Sequence, residues 1–354
     1  MSDWENIVRL TTPYTPGEQP RDKDIIKLNT NENPFPPSPA CADVLRTISA
    51  ADMRLYPDPH ATELVRAIAE TYSVKESQVF VGVGSDDVIA TAYLTFFNSE
   101  RPVLFPDITY SFYDVWADVY GVPFEKIPLK EGFHIDPEDY VRPNGGIIFP
   151  NPNAPTGVLE PVETIERIVS ANPGSVVIVD EAYIDFGGIS CLPLIGKYDN
   201  LLIVQTFSKS RSGAGLRIGY ALGNEKLIRY LNEVRFSINS YTMSRFTIEC
   251  GAAVMRDTDH MKNTCSKIIR AREHAKNALS RLGFEFPDSK ANFLFVTHKS
   301  IPAKTIFEEL KKRKILVRWW DKPQINNYLR ITVGTSSQMQ KLTDALTEII
   351  SGSI

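Results

Sequence analysis

The chain has 354 residues, 43% of them hydrophobic and 23% charged, with 39 Lys and Arg against 43 Asp and Glu for a formal charge of -4. No basic excess exists to hold nucleic acid or anionic lipid, and the length exceeds what one core usually fills, so two domains and small-molecule chemistry are expected. No run of 18 apolar residues occurs, and MSDWENIVRL contains acidic residues without a signal-like apolar core, so the reading is a cytoplasmic protein with no membrane span. Cys41, Cys191, Cys250 and Cys265 lie far apart, without a CxxC spacing, and read as reduced thiols. The histidines form no HxxxH pair and lie scattered along the chain, so no dedicated metal site is expected.

Residues 1–40 are rich in proline and polar residues, and LNTNENPFPPSP at 28–39 cannot propagate a helix; this is an extended arm. Ile25, Ile26, Leu28 and Phe35 give it an apolar side with which to dock. The rigid turn Tyr56-Pro57-Asp58-Pro59 leads into a helix with apolar residues at Leu64, Ala67, Ile68 and Tyr72. From Val79, short apolar runs alternate with helical stretches, which predicts a mainly parallel sheet with crossover helices. The runs are 79–83, 102–105, 122–129, 145–150, 175–180, 201–207 and 217–222, giving a seven-stranded sheet with helices near 86–97, 109–120 and 161–170. Helical patterns then cover 226–234 and 240–282. The tail alternates strand and helix (293–296, 301–313, 315–319, 328–333, 337–350), an α+β pattern. The expected fold is therefore α/β: an arm at 1–40, a large domain at 41–260 and a smaller domain at 261–354.

In an open parallel sheet, ligands gather at the carboxyl ends of the strands, so the residues that follow each strand sample the site. The first strand leads to Gly84-Ser85-Asp86 and a helix start, where backbone N–H groups and a hydroxyl can hold an anion, or where Ser85 merely caps the helix. Residues 145–150 lead into Asn151-Pro152-Asn153-Ala154-Pro155-Thr156-Gly157, a fixed turn whose asparagines could meet a ligand. Residues 175–180 end in Asp180-Glu181-Ala182-Tyr183. A carboxylate there needs a positive partner, either an arginine or a protonated ring nitrogen. Residues 201–207 end in Ser208-Lys209, followed by small residues and then Arg217. Amine, carboxylate and anion donors together are what pyridoxal phosphate requires.

The Asn-Pro turn, DEAY, and FSK followed eight residues later by the arginine of GLRIGY resemble the fold type I, class II aminotransferases that depend on pyridoxal 5'-phosphate. LNTNENPFPPSP, LYPDP, VGVGSDD, DEAYIDF and YLRITVGT are similar, in the same order, to the histidinol-phosphate aminotransferase family. The resemblance implies an enzyme of histidine biosynthesis that exchanges an amino group between histidinol phosphate and 2-oxoglutarate. Threonine-phosphate decarboxylation and aromatic transamination are the alternatives on the same fold.

The resemblance makes Lys209 the cofactor's covalent partner and proton carrier, and Asp180 the partner of the ring nitrogen. It puts Tyr183 and Asn153 at the phenolic oxygen and Tyr110 on the ring face. Gly84, Ser85, Asp86, Thr206, Ser208 and Arg217 would surround the phosphate. Tyr56 would reach the phosphate of a second subunit in a homodimer, and Arg330, Arg318, Tyr14 and Asn239 would line the substrate side. Two positions depart from the family pattern. Ala154 stands where the ring-contacting asparagine is expected, and the Ser-Arg-Ser-Gly that follows Lys209 replaces apolar residues, with Arg211 expected to face solvent.

Overall fold

The computed structural model describes residues 3–22 and 24–352. The arm has a short 3-10 turn at Asp3–Ile7 and a two-residue strand, β1 (Ile26–Lys27). Helices α1 (Pro39–Thr47) and α2 (Thr62–Tyr72) precede β2 (Val79–Gly82) and α3 (Ser85–Phe96). Then come β3 (Val103–Pro106), α4 (Tyr113–Tyr120), β4 (Phe124–Ile127), β5 (Gly146–Pro150), α5 (Val162–Ala171), β6 (Val177–Asp180), β7 (Leu201–Thr206) and β8 (Gly219–Gly223). Beyond them lie α6 (Glu225–Ile238), α7 (Arg245–Arg256), α8 (Thr258–Arg281), β9 (Phe284–Glu285), β10 (Phe293–His298) and α9 (Ala303–Lys312). The chain closes with β11 (Ile315–Leu316), β12 (Arg318–Trp319), β13 (Leu329–Thr332) and α10 (Ser336–Ser351).

Strands β2 to β8 form one seven-stranded sheet in the order β2-β8-β7-β6-β5-β3-β4, in which only β8 runs against its neighbours. Apart from the edge strand β4, where Glu125 and Lys126 are exposed, these strands are almost wholly apolar because both faces are covered. Ile147, Phe149, Val177, Val179, Leu201 and Ile203 enter one core, while Ile148, Ile178, Leu202 and Val204 enter the core on the other face. Each is fully buried, worth about 1.5–3 kcal/mol per side chain. The carboxyl ends of β2, β5, β6 and β7 therefore share one edge of the sheet, and the start of β8 meets them there.

The second sheet, β12-β13-β10-β9, is antiparallel and packs Leu294, Val296 and Ile331 against Ile306, Leu310, Leu342 and Leu346 of α9 and α10. The arm docks on this unit: β1 pairs with β11 in parallel, Leu28 N–H donates to Leu316 O at 2.8 Å, and Leu28 lies in its core. The helical region expected at 240–282 is broken. Ser244 caps α7, and Asp257 ends α7 and caps α8 through its carboxylate and the His260 N–H (3.1 Å). A capping carboxylate offers the backbone an alternative to helix continuation, which is why the pattern reads through a break. Among the described residues, no helix is long and apolar enough to cross a membrane.

Candidate active site

The sheet edge opens into a cleft of about 820 Å³. Ser85, Asp86, Tyr110, Asp180, Tyr183, Thr206, Ser208, Lys209 and Arg217 all line it, as does Ala154. These residues come from six separate segments, and the parallel order of the strands is what brings them together.

Asp180 is the last residue of β6. It is buried, accepts hydrogen bonds from the Tyr113 hydroxyl (3.1 Å) and the Ala182 N–H (3.1 Å), and has no ion-pair partner among the described residues. Burial raises its pKa to about 6, against the lowering effect of those two donors. A buried carboxylate without a cation leaves room for one to be supplied by a ligand. On the neighbouring strand, Lys209 follows β7 and extends its amine to the Thr30 carbonyl oxygen (3.3 Å), 5.6 Å from the centre of the Tyr183 ring. It also makes no ion pair among the described residues.

Helix α3 begins with no side-chain cap; Gly84 occupies the cap position at φ 89°. Its first N–H groups thus point to the cleft with the positive end of the helix dipole behind them. A Cβ at Gly84 would lie 2.5 Å from the Arg217 guanidinium, and one at Gly219 would lie 2.3 Å from the backbone of Gly84 and Ser85. Glycine is required at both positions so that β8, Arg217 and α3 can close into a cup. Ser208 N–H donates to the Thr206 hydroxyl (3.1 Å), and the Thr206 hydroxyl to the Ile218 carbonyl oxygen (3.2 Å), fixing the opposite wall. Arg217 stands 3.8 Å from Asp86, whose other oxygen accepts the Tyr110 hydroxyl at 2.9 Å. The donor set of uncapped amides, hydroxyls and Arg217 fits a phosphate, the orphan carboxylate fits a cationic ring nitrogen, and Lys209 fits an aldehyde. The residues present therefore suit pyridoxal phosphate.

A second, narrower recess adjoins the first across Tyr110 and Ala154 and is lined by Tyr14, Trp320 and Arg330. Arg330 donates to the Asn29 carbonyl oxygen at 3.0 Å, and its Nε is buried without a partner. Its guanidinium lies between Phe293 (5.4 Å) and Trp320 (5.2 Å), and burial lowers its pKa. Arg318 also lies over the Trp320 ring, at 5.4 Å, and donates to the Thr15 carbonyl oxygen (2.9 Å), while Tyr14 stacks on Phe112 (4.4 Å). Neither arginine has a carboxylate partner among the described residues, so both are available to a ligand anion.

The structure overturns one expectation, that Arg211 faces solvent, and leaves Asn153 and Asn239 out of the cleft lining. Asn153 does not face the cleft: its amide donates to the Ile108 carbonyl oxygen (2.9 Å) and the Thr156 hydroxyl (3.0 Å) and accepts from the Thr109 hydroxyl (3.3 Å). The turn needs all of that amide for itself, and Ala154 takes the position on the cleft. Asn239 is exposed and is not among the residues that line the cleft, with its side-chain carbonyl holding the Tyr241 N–H (3.2 Å). Arg211 does not face solvent. It is 3% exposed, donates to the Met255 carbonyl oxygen (3.3 Å) and lies beside Tyr72, Tyr220 and Asp185. Ser212, at φ 56°, turns the chain so that Arg211 enters this polar cluster beneath the sheet. Tyr56 is 79% exposed and packs at a tilt against Tyr241 (4.6 Å between ring centres), and it does not line the cleft.

The sequence reading missed Asn31, Asn33 and Tyr113. Asn33 holds the Lys209 carbonyl oxygen at 3.1 Å, and Asn31 donates to the Tyr183 hydroxyl at 3.0 Å. Asn29, Asn31 and Asn33 recur at every second position of the docked arm, and that spacing of asparagines was the available signal.

The sequence pattern described as aminotransferase class I and II matches residues 23–346. Histidinol-phosphate aminotransferase 2 of Dechloromonas aromatica is 49% identical over 350 residues, covering 98% of both chains. Histidinol-phosphate aminotransferase 1 of Methylococcus capsulatus is 50% identical over 349 residues, covering 99% of this chain and 98% of its own. The crystal structure of the Sinorhizobium meliloti histidinol-phosphate aminotransferase in complex with pyridoxal-5'-phosphate superposes with a TM-score of 0.85 at 24% identity, over 93% of this chain and 92% of that one. Matched along nearly its whole length, the chain belongs to the aminotransferase class I and II family.

Proposed function

We propose that this chain is a histidinol-phosphate aminotransferase that exchanges an amino group between L-histidinol phosphate and 2-oxoglutarate with pyridoxal phosphate bound at Lys209. The observation that carries the reading is the pair Asp180 and Lys209: a carboxylate and an amine at the ends of adjacent strands, facing one cleft, both without ion-pair partners among the described residues. When bound, the cofactor supplies an electron sink for the pair released at the substrate Cα. The protein's own residues do the rest. Asp180 would hold the ring nitrogen protonated, and Lys209, its amine freed when the substrate amine takes its place, would carry the proton released at Cα to the cofactor C4′. Tyr183 donates to the phenolic oxygen and Tyr110 covers the ring. The amides of Ser85 and Asp86, with Thr206, Ser208 and Arg217, hold the phosphate.

Arg330 and Arg318 receive the anionic end of each substrate in turn, the phosphate of one and a carboxylate of the other. Tyr14 closes that compartment. The near-full-length similarity to proteins named for histidinol phosphate favours this substrate over threonine phosphate or aromatic amino acids. The protein works as a homodimer in the cytoplasm, with Tyr56 entering the partner's phosphate site. Residues 41–260 form the cofactor domain, and 261–354 with the 1–40 arm form the smaller one. A rate comparison with histidinol phosphate, phenylalanine and threonine phosphate as amine substrates tests the reading. Histidinol phosphate is expected to have the highest kcat/KM with 2-oxoglutarate; carbon dioxide release from threonine phosphate without amino transfer would contradict it.

A further inference from the structure

Beside Tyr183, the wall of the cleft is Ala154, which has no polar side-chain atom. The direction in which the Tyr183 hydroxyl points its proton thus decides what the cleft offers an oxygen at that wall. That direction is set from the arm. The Asn31 Nδ2 donates to the Tyr183 Oη at 3.0 Å, while its Oδ1 accepts from the Thr332 hydroxyl at 3.0 Å. The same Thr332 oxygen accepts the Asn31 backbone N–H at 2.9 Å. Turning the Asn31 amide over would aim a second donor at the Thr332 oxygen and leave the buried Thr332 proton without its acceptor, so this orientation alone satisfies both residues. The Asn31 carbonyl oxygen is held by the Asn292 amide at 3.0 Å, and the backbone has φ 57°, a conformation that Asn and Asp tolerate best among residues with a side chain. The residue is buried and has no freedom to retract.

We infer that Asn31 is a positioning residue that fixes the Tyr183 hydroxyl as a hydrogen-bond donor into the cleft. An oxygen that accepts the Asn31 N–H keeps its own proton free. The other close neighbours of Tyr183, the Phe293 ring at 5.0 Å and the Lys209 amine over its face, offer that proton no acceptor. The inference rests on the proposed pairing of Tyr183 with the cofactor's phenolic oxygen. It makes the arm and β13 part of the electrostatics of the site, because Thr332 holds Asn31 and Asn31 sets Tyr183.

The test is an absorbance pH titration of the cofactor bound in the holoenzyme. A hydrogen bond donated to the phenolic oxygen favours its anion and holds the titration down by about one to two pH units. Asn31→Asp keeps the Thr332 bond and the backbone conformation but presents only acceptors, so it draws the Tyr183 proton out of the cleft. N31D is expected to raise the titration midpoint as far as Y183F does, and N31A to raise it less. Adding A154N to N31D returns a donor to the wall and lowers the midpoint again. A structural role alone predicts that neither variant moves the midpoint and that the near-isosteric N31D lowers stability less than N31A. An unmoved midpoint in N31D overturns the inference. If N31D does not fold, N31A with and without A154N decides in the same way. A Y183F midpoint equal to that of the wild type removes the Tyr183 assignment and the inference with it. A wild-type chain that takes up no pyridoxal phosphate overturns the functional reading itself.

Discussion

Two adjacent acids behave differently because of what each touches. Glu181 accepts from the Cys191 N–H (2.7 Å), the Ser190 hydroxyl (2.6 Å) and the Gln205 amide (2.8 Å), and burial still pushes its pKa up to about 7. Asp180 has two donors and faces the cleft, and its pKa is raised to about 6. In the cofactor-free protein, folded Asp180 keeps its proton up to about pH 6, whereas the unfolded chain releases it near 4. The folded state therefore binds more protons in that window, and its stability falls as pH rises through it, by about 3 kcal/mol from this one group. Cofactor-free D180N should be more stable than the wild type at pH 8, and the gain should vanish at pH 4; thermal melts at both pH values check this. At this scale the sequence is legible where a charge ends an apolar strand, as at Asp180 and Lys209. It misleads where a side chain bonds to its own turn, as Asn153 does, or where a buried polar cluster is assembled from distant segments, as around Arg211.

The phosphate cup depends on how closely β8 approaches the first turn of α3. Gly219 pairs with both Thr206 and Gly82, and a methyl group there would meet the Gly84 carbonyl carbon and the Ser85 nitrogen at 2.3 Å. Those atoms are backbone and cannot move aside alone, so G219A must separate strand from helix, an overpacking cost of about 1–3 kcal/mol. The expected outcome is a lower melting temperature together with weaker uptake of pyridoxal phosphate, read by equilibrium titration. All seven large-sheet strands are recoverable from the sequence, six because burial on both faces leaves a nearly unbroken apolar run and the edge strand β4 from the apolar residues that flank its exposed Glu125 and Lys126. The break between α7 and α8 is not, since Asp257 interrupts a helical pattern without interrupting its period. The arm's contribution is hidden for a different reason: its hydrogen bonds to Leu316, Thr332 and Lys209 span most of the chain and leave no local trace.

Trp4, Ile7, Leu10, Leu55, Tyr56, Ile238 and Tyr241 are large apolar side chains exposed on the single chain. A second copy covering the Tyr56–Tyr241 pair is the arrangement proposed, and it predicts complementation. K209A and Y56A, each impaired as a homodimer, should regain activity above their sum when mixed and allowed to exchange subunits. A hybrid dimer has one site with Lys209 from one subunit and Tyr56 from the other. No gain on mixing, with exchange demonstrated, would place Tyr56 outside the site. The proposed chemistry depends on one covalent bond. Borohydride reduction of the holoenzyme followed by peptide mass analysis should find the pyridoxyl group on Lys209, in the peptide that follows β7; a label on any other lysine, or none, would contradict it.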